Sequence, residues 1–172
     1  GPLHIEPGGL EIFLSFHSFV IRTDAHTILV DLCLGNDKIR ADRPQWHMRS
    51  GPFLGNLAAA GVTPEDVDFV MCTHLHADHF LGITGLLRTM ALQGRTDPLR
   101  IFGPASSRGT LEHVVSLGVD RVPFPLEIEE LRAGTHVEYD EYDVVAFPAD
   151  HRTPALGYAF VEHERLGRFD IS

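Results

Sequence analysis

Apolar positions in this chain come in short runs set apart by clusters of turn-forming residues, and the spacing within the runs alternates between two periods. Residues 11–22 and 27–34 are β-rich and joined by Thr23-Asp24-Ala25-His26, the pattern of a hairpin. From Gly35 to Ser50 the chain is polar and interrupted by Pro44, a loop long enough to carry function. Pro52 at a first helical position, followed by Phe53, Leu54, Leu57 and Ala58 at spacings of three and four, predicts a short helix ended by Gly61. Val67-Asp68-Phe69-Val70-Met71-Cys72, bounded by Thr63-Pro64-Glu65-Asp66, reads as a buried strand. Helices are expected over residues 81–92 and 106–117, the latter closed by Gly118, with a strand over 99–102 between them. Beyond Pro123-Phe124-Pro125, residues 126–131, 136–139 and 143–147 read as successive strands with turns at Ala133-Gly134 and Asp140-Glu141. Strand and helix alternate, so the layered α/β class follows. No internal repeat or low-complexity tract is evident.

At 172 residues and 44% hydrophobic content, the chain is expected to form a single domain, residues 1–172, around one core. No stretch approaches the roughly 18 apolar residues of a membrane span. The start Gly1-Pro2-Leu3-His4 has neither the basic nor the apolar part of a signal peptide, and Gly1-Pro2 reads as a scar of protease cleavage. Cys33 and Cys72 both fall in apolar strands, so two buried thiols in a reducing cytoplasm are expected, not a disulfide framework. The net charge of −10 gives no general attraction for nucleic acid. Arg88, Arg95, Arg100 and Arg108 are the candidates for a local basic patch, although scattered arginines more often form a solvated face.

The chemistry lies at the end of the apolar run 67–72, where Thr73-His74-Leu75-His76-Ala77-Asp78-His79 gathers three imidazoles and a carboxylate. A period of two sends His74 and His76 to one side, while the chain turning onward brings Asp78 and His79 to a second point. The bland reading is a surface histidine loop or an accidental chelator, but purification tags are terminal and homopolymeric, and this group is internal and follows a core strand. Imidazole and carboxylate without thiolate suit Zn²⁺, Mn²⁺ or Fe. Two such metals about 3.5–4 Å apart serve hydrolysis by lowering the pKa of a bridging water. Asp31 ends the run Ile28-Leu29-Val30, and His151 follows Val144-Val145-Ala146-Phe147 in a strand-end loop. Trp46 and His47 are candidates for a substrate pocket, with loop anchoring as the commoner role of such an aromatic.

The His-x-His-x-Asp-His pattern at 74–79 resembles the signature of the metallo-beta-lactamase superfamily. That resemblance implies an αβ/βα sandwich with a dinuclear metal site on one edge, and an Asp31 that organises the ligand loop. Positions 73–170 are further similar to the RNase Z group of tRNA 3′-processing endonucleases: His151-Arg152-Thr153-Pro154-Ala155-Leu156-Gly157-Tyr158, Gly85-Leu86-Leu87, residues 92–99 running into Ile101-Phe102-Gly103-Pro104, and Gly167-Arg168-Phe169-Asp170. This implies that His151 is a metal ligand and places Tyr158 close to substrate. Residues 11–79 instead resemble the branch that includes lactone-opening hydrolases, so a seam near 73–80, natural or designed, would make the chain a chimera.

In RNase Z-like chains a bridging aspartate and a last histidine lie beyond Gly-Arg-Phe-Asp. Here His163 and Asp170 stand outside that context and are not assigned those roles. The chain is accordingly expected to be the N-terminal half of the sandwich plus adjoining strands, with the covering sheet absent and a homo-oligomer formed through the exposed sheet face. The resemblance implies a phosphodiesterase acting on precursor tRNA, with His74, His76 and His151 on one metal, Asp78 and His79 on the other, Asp78 accepting a proton from the attacking water, and zinc as the metal. A lactone or ester hydrolase, with Trp46 or Phe16 against an acyl chain, is the rival enzyme. A metal-binding scaffold without turnover is the alternative of a different class.

Overall fold

The computed structural model describes residues 3–4, 11–12, 16–117 and 121–164. β1 (Leu3–His4) pairs antiparallel with β2 (Glu11–Ile12). The first layer is a five-stranded sheet ordered β3-β4-β5-β6-β7, built from Phe19–Arg22, Thr27–Val30, Phe69–Met71, Leu99–Pro104 and Leu126–Leu131. β3 and β4 form the expected hairpin, closed by the Thr23 hydroxyl, which accepts from the His26 amide at 2.8 Å. β4 to β7 run parallel. The strand expected over 27–34 stops at Val30 because Asp31 and Cys33 take positive φ, 57° and 55°. Of that over 11–22, the described residues show β2 and β3.

Alternation along the parallel strands splits the core in two. Leu29, Val70, Leu99 and Ile101 face a helical layer, meeting Leu57 of α1 (Phe53–Ala59), Ile83, Leu86, Leu87 and Met90 of α3 (Ile83–Leu92), and Leu111 and Val114 of α4 (Arg108–Val115). A four-residue helix, α2 (Ala77–Phe80), precedes α3 and was not legible in the apolar spacing. The helix read over 106–117 is α4, shorter at both ends; Gly118 lies outside the described residues.

Ile28, Val30, Phe69, Met71 and Phe102 point the other way, onto Tyr142, Val144, Ala146 and Leu156. These last belong to a three-stranded antiparallel sheet of β8 (His136–Glu138), β9 (Tyr142–Pro148) and β10 (Leu156–Glu162), ordered β10-β9-β8. The expectation that the first sheet lacks a cover is thereby corrected. β10 was missed because Gly157 and the polar residues 150–154 read as loop, although its seven residues pair with β9 along their whole length. Among the described residues no helix is long and apolar enough to cross a membrane.

One clasp at the end of β10 titrates. His163 places Nε2 2.9 Å from the Asp143 carboxylate and Nδ1 3.2 Å from the Asp140 carbonyl oxygen. Both partners accept only, so both ring nitrogens donate and the imidazole is cationic. The Asp143 hydrogen bond, then the Asp140 carbonyl, raise its pKa above the ordinary 6.5. A raised folded-state pKa means that this contribution is complete below 6.5 and is lost as pH climbs through the raised value. Proton NMR of the His163 ring is expected to give a midpoint above 6.5 that Asp143→Asn lowers; a midpoint at or below 6.5 in the unaltered protein would contradict the clasp.

Candidate metal centre

Three chain segments meet at the edge where β4, β5 and β9 end. Asp31 follows β4, residues 73–79 follow β5, and His151 lies between β9 and β10. The last loop is tied down by backbone: the Ala149 amide donates to the Ala155 carbonyl at 3.2 Å, and the Leu156 amide donates to that of Thr73 at 2.9 Å. That second bond brings the segment carrying His151 onto the histidine loop, where His151 meets His76, 75 positions earlier.

Asp31 is the hub. It is 5% exposed, and its carboxylate accepts from the Thr73 amide (2.8 Å), the Thr73 hydroxyl (2.8 Å) and Nδ1 of His79 (2.7 Å). Ring protons follow from this network. A carboxylate only accepts, so His79 carries its proton on Nδ1 and keeps the Nε2 lone pair. Thr73 has one hydroxyl proton, given to Asp31, so its oxygen accepts from Nδ1 of His74 at 3.0 Å. His74 is thereby also left with a free Nε2. The relay from His74 through Thr73 and Asp31 to His79 sets two imidazoles with one acidic side chain. Nothing in the sequence pattern marks Thr73 beyond its place at the start of the cluster.

The donor atoms of His74, His76 and His151 all lie within 4.8 Å of one another. Nδ1 of His76 and Nε2 of His151 are 3.0 Å apart, near the ~3.3 Å that two nitrogens span on one tetrahedral ion with bonds of about 2.05 Å. His74, 8% exposed, forms the closed wall, while His76 and His151 are exposed and leave the other side open. Burial, followed by the neighbouring imidazoles of His79, His151 and His76, pushes the His74 pKa down to about 4. It is therefore neutral, the form that binds a cation, through the physiological range. Asp78 and His79 of α2 stand beside this trio: Nε2 of His79 is 3.7 Å from Asp78 Oδ2, and the His74 and His79 ring centroids are 3.9 Å apart. The donor set fits a divalent metal of intermediate softness.

The other expected site residues have partners of their own. Tyr158, read as close to substrate, gives its hydroxyl to the Cys72 carbonyl at 2.8 Å, and burial raises its pKa; it fastens β10 beneath the site. His47 accepts from the Arg40 amide within the loop over 35–51, and Trp46 lies under Arg43. The four arginines considered as a basic patch are bound separately. Arg95 is buried and donates to the carbonyls of Asp97, Glu65 and Pro98. Arg100 pairs with Glu129 across the Phe69 and Phe102 rings, Arg88 reaches Leu117, and Arg108 faces Glu112.

Comparison with known proteins places this geometry. The family model for the metallo-beta-lactamase superfamily matches residues 15–155. Ribonuclease Z of Gemmatimonas aurantiaca is 56% identical over 103 residues, 59% of this chain and 33% of its own length. That of Myxococcus xanthus is 50% identical over 105 residues, 61% of this chain and 34% of its own. The chain thus spans about a third of the length of these relatives. Among solved structures, human tRNase Z, short form, is similar with a TM-score of 0.62 at 24% identity, over 84% of this chain and 57% of its own. A metallo-beta-lactamase fold protein from Bacillus subtilis gives 0.59 at 14%, over 90% and 52%. At such identities the likeness is one of fold. With the family model spanning the whole first sheet, β8, β9 and every histidine of the cluster, this chain belongs to the metallo-beta-lactamase superfamily.

Proposed function

We propose that the chain is the metal-holding part of a phosphodiesterase of the Ribonuclease Z kind, acting on RNA and, by analogy with human tRNase Z, on precursor tRNA. The observation that carries this reading is the convergence of His151 on His74 and His76, within a chain up to 56% identical to Ribonuclease Z over 103 residues. His74, His76 and His151 would hold one cation and Asp78 with His79 a second, with Zn²⁺ the metal best suited to them. When bound, such ions supply Lewis acidity and activate water. The chain's own residues do the rest. Asp31 and Thr73 orient the imidazoles, the open side at His76 and His151 admits the phosphodiester, and Asp78 accepts a proton from the attacking water. The free thiols Cys33 and Cys72 support a reducing, cytoplasmic setting. We assign the expected self-association to the outer face of the second sheet, where Phe147 and Val161 are exposed, because the face first expected to mediate it is covered.

The test is hydrolysis of bis(p-nitrophenyl) phosphate against a γ-lactone, each with added Zn²⁺ or Mn²⁺. Metal-dependent release of nitrophenol is expected, with a loss of about 10²-fold or more in Asp78→Ala. Turnover of the lactone alone would transfer the site to the ester-hydrolase reading. Metal uptake without either activity would leave a scaffold.

A further inference from the structure

Positive charge and exposed apolar side chains come together in the loop over residues 35–51, which rises from the end of β4 on the edge that carries the histidines. Its base is fixed. Asn36 donates to the Gly51 carbonyl at 2.7 Å and accepts from the Gly51 amide at 3.0 Å; the Asp37 amide donates to the Arg49 carbonyl and the Met48 amide to that of Lys38. Arg40 returns its guanidinium to the Leu34 carbonyl at 2.7 Å. Gly35 packs against Gly82, three residues past His79, so the loop stands beside the metal edge.

What this frame displays is unlike the rest of the chain. Lys38, Arg40, Arg43 and Arg49 against Asp37 and Asp42 give four positive and two negative charges, a net +2 in a chain of −10. The Lys38 side chain makes no hydrogen bond or ion pair among the described residues, and Ile39 beside it is 81% exposed. Trp46, the one tryptophan of the chain, is partly exposed with the Arg43 guanidinium 5.7 Å from its ring centroid; Arg49 lies over Phe16 at 5.5 Å. Arg152, next to His151, is exposed. Cations interleaved with aromatic faces are the chemistry that grips a single-stranded nucleic acid, phosphates on the charges and bases on the rings. The net charge of −10 disfavours such a strand on the body as a whole, which favours its lying along the loop toward the histidines.

We infer that the loop over residues 35–51 is a docking surface for single-stranded RNA, gripping its phosphates with Lys38 and Arg49 and stacking a base on Trp46 next to the metal centre. The inference rests on the phosphodiesterase reading for the identity of the strand. An acyl chain laid on Ile39 and Met48 would not need the charges.

Trp46 reports directly. A uridine 12-mer titrated into the full chain, loaded with Zn²⁺ and in parallel in EDTA to prevent turnover, is expected to quench tryptophan fluorescence saturably, and salt is expected to reverse it. In Lys38→Glu/Arg49→Glu the affinity is expected to fall about tenfold or more, and the salt slope to decrease by about 1.4, two contacts at roughly 0.7 each. Lys38→Gln, which removes a charge with no structural partner, should show about half that change in slope. No quenching at low salt, or a double variant with unchanged affinity and slope, would overturn the inference. Hydrolysis of bis(p-nitrophenyl) phosphate by the unaltered protein reads the parent proposal separately. Hydrolysis with charge-independent RNA binding sinks the loop alone, whereas charge-dependent binding without hydrolysis sustains the loop and removes the phosphodiesterase.

Discussion

Asp31→Ala is expected to lower metal affinity by about 10- to 100-fold and to destabilise the metal-free fold by about 3 kcal/mol. Three donors lose their acceptor at once: the Thr73 amide, the Thr73 hydroxyl and Nδ1 of His79. With Asp31 gone, the proton of His79 is no longer fixed on Nδ1, and Thr73 is free to turn its hydroxyl away from Nδ1 of His74. Backbone adds to the cost. Asp31 sits at φ 57°, a region aspartate and asparagine tolerate and alanine does not, at about 1–2 kcal/mol. Asp31→Asn keeps that tolerance and one acceptor oxygen, so it should fall between the two. Calorimetric titration of Zn²⁺ measures the first effect and urea unfolding in EDTA the second. Unchanged zinc affinity in Asp31→Ala would show that the relay does not orient the histidines.

Gly82→Ala is expected to destabilise by about 3 kcal/mol or more and to weaken metal binding with it. The junction between α2 and α3 docks on the backbone that follows β4: the Leu32 amide donates to the His79 carbonyl at 2.6 Å, and the Gly82 amide to that of Cys33 at 3.1 Å. A Cβ on Gly82 would fall on the Leu32 carbonyl oxygen, with its carbon at 2.9 Å. Neither atom is the end of a flexible side chain, so the helices must move away, taking His79 from Asp31. Gly85→Ala, three residues on and inside α3, is the control. Nothing lies within 4 Å of its added Cβ, and the substitution should stabilise by about 0.5–1 kcal/mol through helix propensity. Urea midpoints of the two variants moving in the same direction would refute the packing argument.

Local pattern carried much of the fold. The strand at 69–71, the hairpin at Thr23 to His26, α1 ended by Gly61 and the strands from 126 to 148 were all legible, because each depends on neighbours within a few positions. The histidine group was legible for the same reason, being seven residues long. β10 was not, since its identity as a strand comes from its register on β9, and with it went the second sheet and the cover of Phe69 and Phe102. Arg95 looked like a surface cation, yet three carbonyls from residues 65, 97 and 98 enclose it. Tyr158 was expected close to substrate from its place after His151; that its hydroxyl reaches the Cys72 carbonyl, 86 positions earlier, is something no local pattern encodes.

The metallo-beta-lactamase assignment and the candidate ligand cluster at residues 74–79 were thus legible in the sequence alone, as consequences of side-chain identity at short spacing. The meeting of His151 with His74 and His76, the orientation of His74 and His79 by Asp31, and the closure of the sandwich were decided by tertiary structure. The physical reason is range. Each of these depends on hydrogen bonds or packing between segments some 40 to 90 residues apart, such as Leu156 to Thr73, and no periodicity in the chain encodes which distant carbonyl an amide will find.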